Sequence, residues 1–246
     1  MVPSLTFSLG RGFLLVATLS VLIGFSTVAV SSPKVDKAKL DTASRRAGKA
    51  AKALTDISAL PLSETIPGAL LERARGVAVF PDVDRLNMLV VKAMKGYGLM
   101  SRRLTDGWSM PAFYGFAVMD KGWTKLKPAE AHIIMLFMDD STLKRFQKDH
   151  IDLKAAAGPV GELTPQKEKE LLGAGIIIYA LSDGKLRGIE VEDDSTTQSG
   201  INSDNNINKA VYGLKASEVL WSDAPSVSTA VPGITEFRNA LTSLSK

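Results

Sequence analysis

The chain has 246 residues, a formal net charge of +4 and 45% hydrophobic residues, which is ordinary for a globular protein with a buried core. The charge is too small and too evenly spread to indicate a nucleic-acid-binding protein. No cysteine occurs in the sequence, which excludes disulfides, thiol catalysis and cysteine-ligated metal sites.

An uncharged apolar run at residues 13–30 follows Arg11 and ends in small side chains, including Ala29 and Ser31. A positive start, an apolar centre and small residues before the cut are typical of an export signal. We therefore expect residues 1–31 to be a signal peptide cleaved after Ser31, and the protein to be periplasmic, cell-surface or secreted. The alternative is an uncleaved membrane anchor, because eighteen apolar residues are close to the shortest run that spans a bilayer.

Residues 34–60 have the spacing of an amphipathic helix. Small or apolar residues recur at steps of three and four, at Leu40, Ala43, Ala47, Ala50, Ala51, Leu54 and Ile57. We expect Asp36 or Asp41 to begin the helix and Pro61 to end it. Basic residues occupy the opposite side and its flanks, at Lys34, Lys37, Arg45, Arg46, Lys49 and Lys52. Because the apolar stripe is mostly alanine, insertion of this helix into lipid is expected to be shallow.

Beyond this helix, the pattern predicts a second short helix that starts near Pro67 and is stopped by Gly76. Mainly strand patterns follow, at residues 77–80, 86–92, 96–104, 112–119, 132–138, 173–181 and 185–192. Asp106-Gly107 and Asp183-Gly184 are dipeptides typical of hairpin turns. Glycines within several strands, at positions 96, 98, 115 and 188, indicate bends or close backbone approaches in a curled sheet.

The remaining segments are predicted to be short helices and loops. Asp139 or Ser141 is expected to cap a helix that runs to about Asp149. A polar loop is predicted at 193–208, a short helix at 216–220 and a final amphipathic helix at 234–244. The fold class predicted from all these segments is α+β, with a curled, mainly antiparallel β-sheet, an N-terminal amphipathic helix and a few short packing helices. We assign residues 32–222 to one domain and 223–246 to a C-terminal tail with a short helix.

No set of residues in the sequence is typical of an active site. His132 and His150 lack a partner at metal-ligand spacing and are interpreted as structural, and Asp139-Asp140 as helix-capping residues. A group of acidic and amide side chains misses the spacing of a calcium-binding loop and is interpreted as a solvated loop: Asp193, Asp194, Asn202, Asp204, Asn205, Asn206 and Asn208. The sequence therefore predicts a protein that is not an enzyme and holds no metal or cofactor.

Several motifs follow one another in a fixed order between residues 36 and 220. They are I-P-G at 66–68, L-E-R-A-R-G-V-A-V-F-P at 71–81, G-Y-G at 96–98, D-G-W-S-M-P-A at 106–112, A-G-P-V-G at 157–161 and K-L-R-G-I-E-V at 185–191. The segments 139–146 and 205–213 continue the series. Together they resemble the SYLF domain, a family of lipid-binding modules. The resemblance weakens at 86–95, where the family has more glycines, and at 120–131, where three lysines replace a glycine-rich run: Lys121, Lys125 and Lys127.

The resemblance implies lipid binding through a basic amphipathic N-terminal helix, as in family members that bind acidic phosphoinositides. The positions that match are Lys37, Arg45, Arg46, Lys49 and Lys52. The implied partner is an anionic phospholipid or membrane surface, to which each basic residue contributes about 1 kcal/mol. Two alternatives stay open: the helix packs on the domain with its charges merely facing water, or the protein is a structural or interaction protein of the bacterial envelope that binds a protein partner.

Overall fold

The structure is a computed structural model and describes residues 36–87, 92–119, 131–171, 173–191, 199–222 and 231–245. Several sequence predictions lie outside these residues: the signal peptide at 1–31, Lys34, residues 88–91 of one predicted strand, the three lysines between 121 and 127, and Asp193 and Asp194. None of the helices in the described ranges combines the length and the apolar character needed to cross a membrane.

The N-terminal helix, α1, spans Lys37–Ser58. Its N-cap is Asp36, whose carboxylate accepts a hydrogen bond from the backbone N–H of Lys39. Of the two predicted starting residues, Asp36 is therefore the one that begins the helix. All seven residues predicted to face inward are buried, and Ala53 is buried with them. The 3.6-residue period therefore located the packed side of this helix correctly.

Alanine on the packed side of α1 allows other backbone segments to approach closely. The last helix, α7 (Pro232–Leu244), packs against α1. A Cβ atom added to Gly233 would lie 2.4 Å from the backbone oxygen of Ser44, so only glycine fits at this crossing. Because Phe237 is fully buried, α7 contributes to the same core as the sheet and belongs to the same compact unit, Val35–Lys246.

Helix α2 (Gly68–Arg73) begins after Pro67, as predicted. Its predicted end at Gly76 is wrong, because the helix stops at Arg73 and Ala74 has an extended backbone with ψ 125°. Gly76 instead begins the first strand, where a Cβ atom would lie 2.7 Å from the Leu143 side chain. Close packing between strand and helix, not helix termination, explains this glycine.

The strands form one curled sheet. Their bounds are β1 Gly76–Phe80, β2 Asp84–Asn87, β3 Lys92–Leu104, β4 Gly107–Trp108, β5 Ala112–Met119, β6 His132–Phe137, β7 His150–Asp152, β8 Ala156–Ala157, β9 Ile176–Ser182, β10 Lys185–Ile189 and β11 Gly200–Ser203. The main path runs β10-β9-β6-β1-β3-β5-β11-β7, with β2 and β4 on β3 and β8 on β9. The pairings are antiparallel except for β8 with β9. The predicted α+β class is confirmed, with a sheet that is mixed through this one parallel pair.

Both predicted hairpin turns occur, and the turn at Asp106-Gly107 is followed by an additional short strand. Asp183 and Gly184 have φ values of 52° and 68°, the left-handed conformations that a two-residue hairpin requires. At the other turn, Gly107 has φ 123° and begins β4, which pairs back on β3 before β5 starts. The sequence predicted this turn but not the short strand after it.

Two predictions in the second half of the domain are wrong. Helix α3 (Asp140–Lys144) is capped by Asp139, as predicted, but it continues only through a 3-10 turn at Arg145–Gln147. His150 therefore lies in β7 and not at a helix end. The predicted loop at 193–208 contains β11 and the first half of helix α5 (Asn205–Tyr212).

The polar composition of that segment has a structural explanation. Asn208 is fully buried, and its side chain bonds both backbone groups of Phe113 at 2.8 Å. An amide that pairs with a neighbouring backbone is compatible with a helix, although asparagine usually indicates a loop. Helix α4 (Pro165–Leu171) was not predicted, whereas α6 (Ala216–Trp221) and α7 confirm the two predicted C-terminal helices.

Candidate functional site

The exposed side of α1 carries four of the five basic residues assigned to lipid binding. Lys37, Arg45, Lys49 and Lys52 are all exposed, opposite the buried alanine stripe. The 3.6-residue period of the helix places the other three within a quarter-turn of Arg45 on one side of the helix. We call these four residues the basic face.

Two members of the basic face are paired with carboxylates. Lys49 forms an ion pair with Asp82, and Lys52 lies 2.7 Å from Asp56. The lysine side chains remain 53% and 73% exposed, so water screens these pairs and each contributes little to stability. Among the described residues, Lys37 and Arg45 form no ion pair, so they carry the uncompensated positive charge of the face.

The fifth assigned residue, Arg46, points to the flank of α1 and away from the basic face. Its guanidinium lies 2.6 Å from the carboxylate of Asp204 and 4.4 Å from the centre of the Tyr97 ring. The side chain is 20% exposed. Arg46 is thus held between an acidic cap residue and an aromatic ring, while its neighbour Arg45 faces solvent.

Arg46 borders a groove of about 500 Å³ between α1, three strands and the start of α5. Its lining comes from β3, β5, β11 and the first turn of α5: Lys95, Gly96, Tyr97, Gly115, Phe116, Ala117, Asn202, Ser203, Asp204, Asn206 and Ile207. Sequence reasoning missed this groove. The glycines at 96 and 115 were the available signal, interpreted only as bends or close backbone approaches in the sheet.

A second, smaller cavity of about 240 Å³ lies between α1 and the hairpin turn at Asp183-Gly184. His132 lines it and accepts a hydrogen bond at Nδ1 from the backbone N–H of Asp82 at 3.3 Å. Burial lowers the pKa of His132, and the nearby carboxylates of Asp82 and Asp56 oppose that shift only in part. The neutral ring thus fixes a backbone segment, which is the structural role predicted for it.

The other histidine, His150, lies on the exposed surface of β7. Its Nδ1 lies 2.8 Å from the Asn202 side-chain oxygen, and its Nε2 lies 3.2 Å from Asp152. The hydrogen bond with Asn202 raises the pKa of His150, and the contact with Asp152 acts in the same direction. Within the described ranges, no three potential metal ligands converge on a point where an ion would fit.

Fold and surface together define a class of protein: an α+β domain whose curled sheet carries a basic amphipathic helix packed along its small-residue side. Residues 129–244 match the profile of the family Ysc84, described as Las17-binding protein actin regulator. This match is consistent with the SYLF resemblance over residues 129–244. A general membrane-interacting role fits this family. A search of curated proteins gave no match.

The matched region begins after α1 and β1–β5. It contains β6 to β11 and α3 to α7, and therefore supports the family of the domain without bearing on the five residues assigned to lipid binding. The case for those residues rests on the geometry of α1.

Proposed function

We propose that this protein is an exported, non-enzymatic lipid-binding module that associates peripherally with anionic membrane lipid through the basic face of α1. One observation carries the proposal. The alanine stripe of α1 is buried inside the domain, while Lys37, Arg45, Lys49 and Lys52 remain exposed on the opposite side. A helix arranged in this way offers a membrane charge and no apolar surface.

Because its apolar side is already packed, α1 binds a bilayer by electrostatic attraction alone. Each basic residue near an anionic surface contributes about 1 kcal/mol, so the four together supply at most about 4 kcal/mol. Such a free energy corresponds to a dissociation constant of about 1 mM. Asp82 and Asp56 reduce it further, because they neutralise part of the charge on Lys49 and Lys52. The association is therefore weak, reversible and sensitive to salt.

Export is the second part of the proposal and rests on the sequence of residues 1–31. If the signal is cleaved after Ser31, membrane contact must come from the surface of the domain itself. The basic helix α1 begins at Lys37, a few residues after the cut. The N-terminal residue of the protein purified from an expressing bacterium tests this directly. Ser32 at the N-terminus supports cleavage, and Met1 or Val2 contradicts it.

Co-sedimentation with vesicles tests the lipid requirement. Vesicles of phosphatidylcholine with phosphatidylglycerol are compared with vesicles of phosphatidylcholine alone, at about 0.05 M and about 0.5 M salt, where the Debye lengths differ roughly threefold. We expect binding to the anionic vesicles at low salt and its loss at high salt. Equal binding to both vesicle types, or binding that is insensitive to salt, contradicts the proposal, and no binding at all favours a protein partner in the envelope.

A further inference from the structure

We propose that the groove beside α1 binds a single anionic lipid molecule. Its charged headgroup lies at Lys95 and Arg46, and its apolar part lies along the small residues Gly115 and Ala117, which we call the small-residue track, next to Tyr97. This inference rests on the proposed function and deepens it. The basic face alone gives only a weak and reversible association, and stable peripheral attachment generally takes two signals. A lipid held in the groove supplies the second.

The strand register builds the groove. In antiparallel strands, residues directly opposite each other place their side chains on the same face of the sheet. Tyr97 on β3 is opposite Gly115 on β5, and Gly115 is opposite Asn202 on β11. In the adjacent row, Lys95 is opposite Ala117. Because the middle strand contributes only a hydrogen atom and a methyl group, the face is open between β3 and β11.

Tyr97 forms an exposed apolar wall of this opening. Its side chain is 46% exposed, and the only other large apolar side chain exposed in the described ranges is Leu62. The Tyr97 ring lies 3.3 Å from the position that a Cβ atom of Gly115 would take, so the ring packs close to Gly115. An aromatic ring that stays partly exposed beside a small-residue track offers apolar contact to a ligand.

The charges of the groove favour an anion. Asp204 is the only carboxylate among the residues that the structure places in the lining, and Arg46 already neutralises it at 2.6 Å. Lys95 forms no ion pair with any described residue, so the charged side chains of the lining leave a net positive charge in the groove. Arg46 is also fixed between Asp204 and Tyr97. Contact with a headgroup therefore costs little of the conformational entropy of the Arg46 side chain.

The size and lining of the groove favour a small amphiphile over an inorganic ion. Its volume of about 500 Å³ lies within the range of about 300–1,000 Å³ that is typical of small-molecule sites. Gly115, Ala117 and Tyr97 provide apolar contact, and the polar part of the lining comes from Lys95 on β3 and two amides, Asn202 on β11 and Asn206 on α5. The chemistry that matches is an acidic headgroup joined to an apolar chain.

An NMR titration with a soluble lipid tests the groove separately from the membrane. The purified protein is titrated with dihexanoyl phosphatidic acid below its micelle concentration. We expect saturable shifts of the amide signals of Gly96, Gly115 and Asn202. Dihexanoyl phosphatidylcholine should bind at least tenfold more weakly because it lacks net charge, and glycerol phosphate should bind at least tenfold more weakly because it lacks the chain. Glycerol phosphate that binds as tightly as the lipid overturns the inference, because the groove is then a phosphate site.

Two variants locate the binding. Lys95→Glu should weaken phosphatidic acid binding at least tenfold, whereas Lys169→Glu on the exposed surface of α4 makes the same charge change and should leave it unaltered. Ala117→Phe should fill the track and abolish the shifts, with signals distant from β5 unchanged if the variant is folded. Should Ala117→Phe fail to fold, the Lys95→Glu and lipid comparisons still decide the matter. Shifts confined to α1, or insensitive to Lys95→Glu, contradict a site in the groove.

The failures of the two proposals are distinguishable. Arg45→Glu combined with Lys52→Glu should weaken vesicle binding at least roughly thirtyfold and leave soluble-lipid binding within twofold of wild type. Vesicle binding without soluble-lipid shifts removes the groove site and leaves the basic face. Soluble-lipid shifts without vesicle binding keep the groove site and remove the proposed peripheral association.

Discussion

The guanidinium of Arg46 lies 2.6 Å from the carboxylate of Asp204, with the two side chains only 20% and 17% exposed. Asp204 also caps α5 by accepting a hydrogen bond from the backbone N–H of Ile207. The pair therefore joins α1 to the start of α5 across 158 positions of sequence. Of the five basic residues assigned to lipid binding, Arg46 is the one that also has a structural role.

Replacing Arg46 should destabilise the fold more than replacing its neighbour. Arg46→Gln leaves the Asp204 carboxylate largely buried without its charged partner, and a lost hydrogen bond to a charged group costs about 1.5–3 kcal/mol. Arg45→Gln is the matched control, because Arg45 is exposed and surface substitutions generally change stability by less than about 0.5 kcal/mol. Urea unfolding of both variants measures the difference. Equal losses would show that the pair contributes nothing to stability.

Asn208 should be among the least replaceable polar residues of the described chain. Its side-chain amide accepts from the Phe113 backbone N–H and donates to the Phe113 carbonyl, both at 2.8 Å, and also donates to the Asp204 carbonyl at 3.0 Å. Asn208→Ala leaves the buried backbone N–H of Phe113 without this partner, whereas the Phe113 and Asp204 carbonyls keep other backbone donors. The free energy of unfolding should therefore fall by about 1–3 kcal/mol.

Thermal and urea unfolding of Asn208→Ala check that value. The control is Asn206→Ala, two residues earlier on the same helix, where the side chain is exposed and a change below about 0.5 kcal/mol is expected. An Asn208→Ala variant as stable as the Asn206→Ala variant would contradict the hydrogen bonding described for α5 and β5.

His132 should make the fold less stable as the pH falls. Burial lowers the pKa of His132 in the folded protein, assisted by Lys52 and Lys49 and opposed by Asp82 and Asp56. Below about pH 6.5, the ordinary histidine pKa, the unfolded chain takes up a proton that the folded protein binds less readily. The contribution of neutral His132 to stability is therefore present above about pH 6.5 and decreases as the pH falls towards the folded-state pKa.

The free energy of unfolding of wild type and His132→Gln at about pH 7.5 and about pH 5.5 checks this. We expect wild type to lose more stability on acidification than His132→Gln does. His150→Gln provides a control of opposite sign, because the pKa of His150 is raised by its hydrogen bond with Asn202. Its contribution is present below about pH 6.5 and lost as the pH rises, so its removal should steepen the acid loss. Identical pH dependence in wild type and His132→Gln would exclude a role for burial of this ring.

Local patterns were sufficient to predict α1, β5 and the turn at Asp183-Gly184, because each follows from residues close in sequence. The 3.6-residue period of α1 and the left-handed preference of Asp-Gly are local properties. The prediction of a loop at 193–208 was wrong for the opposite reason. The Asn208 side chain bonds with Phe113 of β5, 95 positions away, and no local pattern indicates such a partner.

The site was predictable only in its outline. The run of basic residues on α1 is visible in the sequence, and four of them lie on one exposed side. The carboxylate partners of the basic residues on α1 are harder to identify from the sequence, because Asp82 is 33 positions from Lys49 and Asp204 is 158 positions from Arg46. The groove depends on the register that aligns Tyr97 with Gly115 and Asn202, and a pattern of neighbouring residues does not reveal which residues of separate strands lie opposite each other.

The central claim is that the exposed basic face of α1 makes the contact with anionic lipid, and paired charge reversals test it most directly. Arg45→Glu with Lys52→Glu is compared with Lys169→Glu and Lys185→Glu, which make the same charge change at exposed positions on α4 and β10. Co-sedimentation with phosphatidylglycerol vesicles at low salt is measured for both. Loss of two basic contacts of about 1 kcal/mol each predicts at least a roughly thirtyfold weaker association for the α1 variant and little change for the control. Equal affinities of the two variants would contradict the assignment of lipid binding to α1.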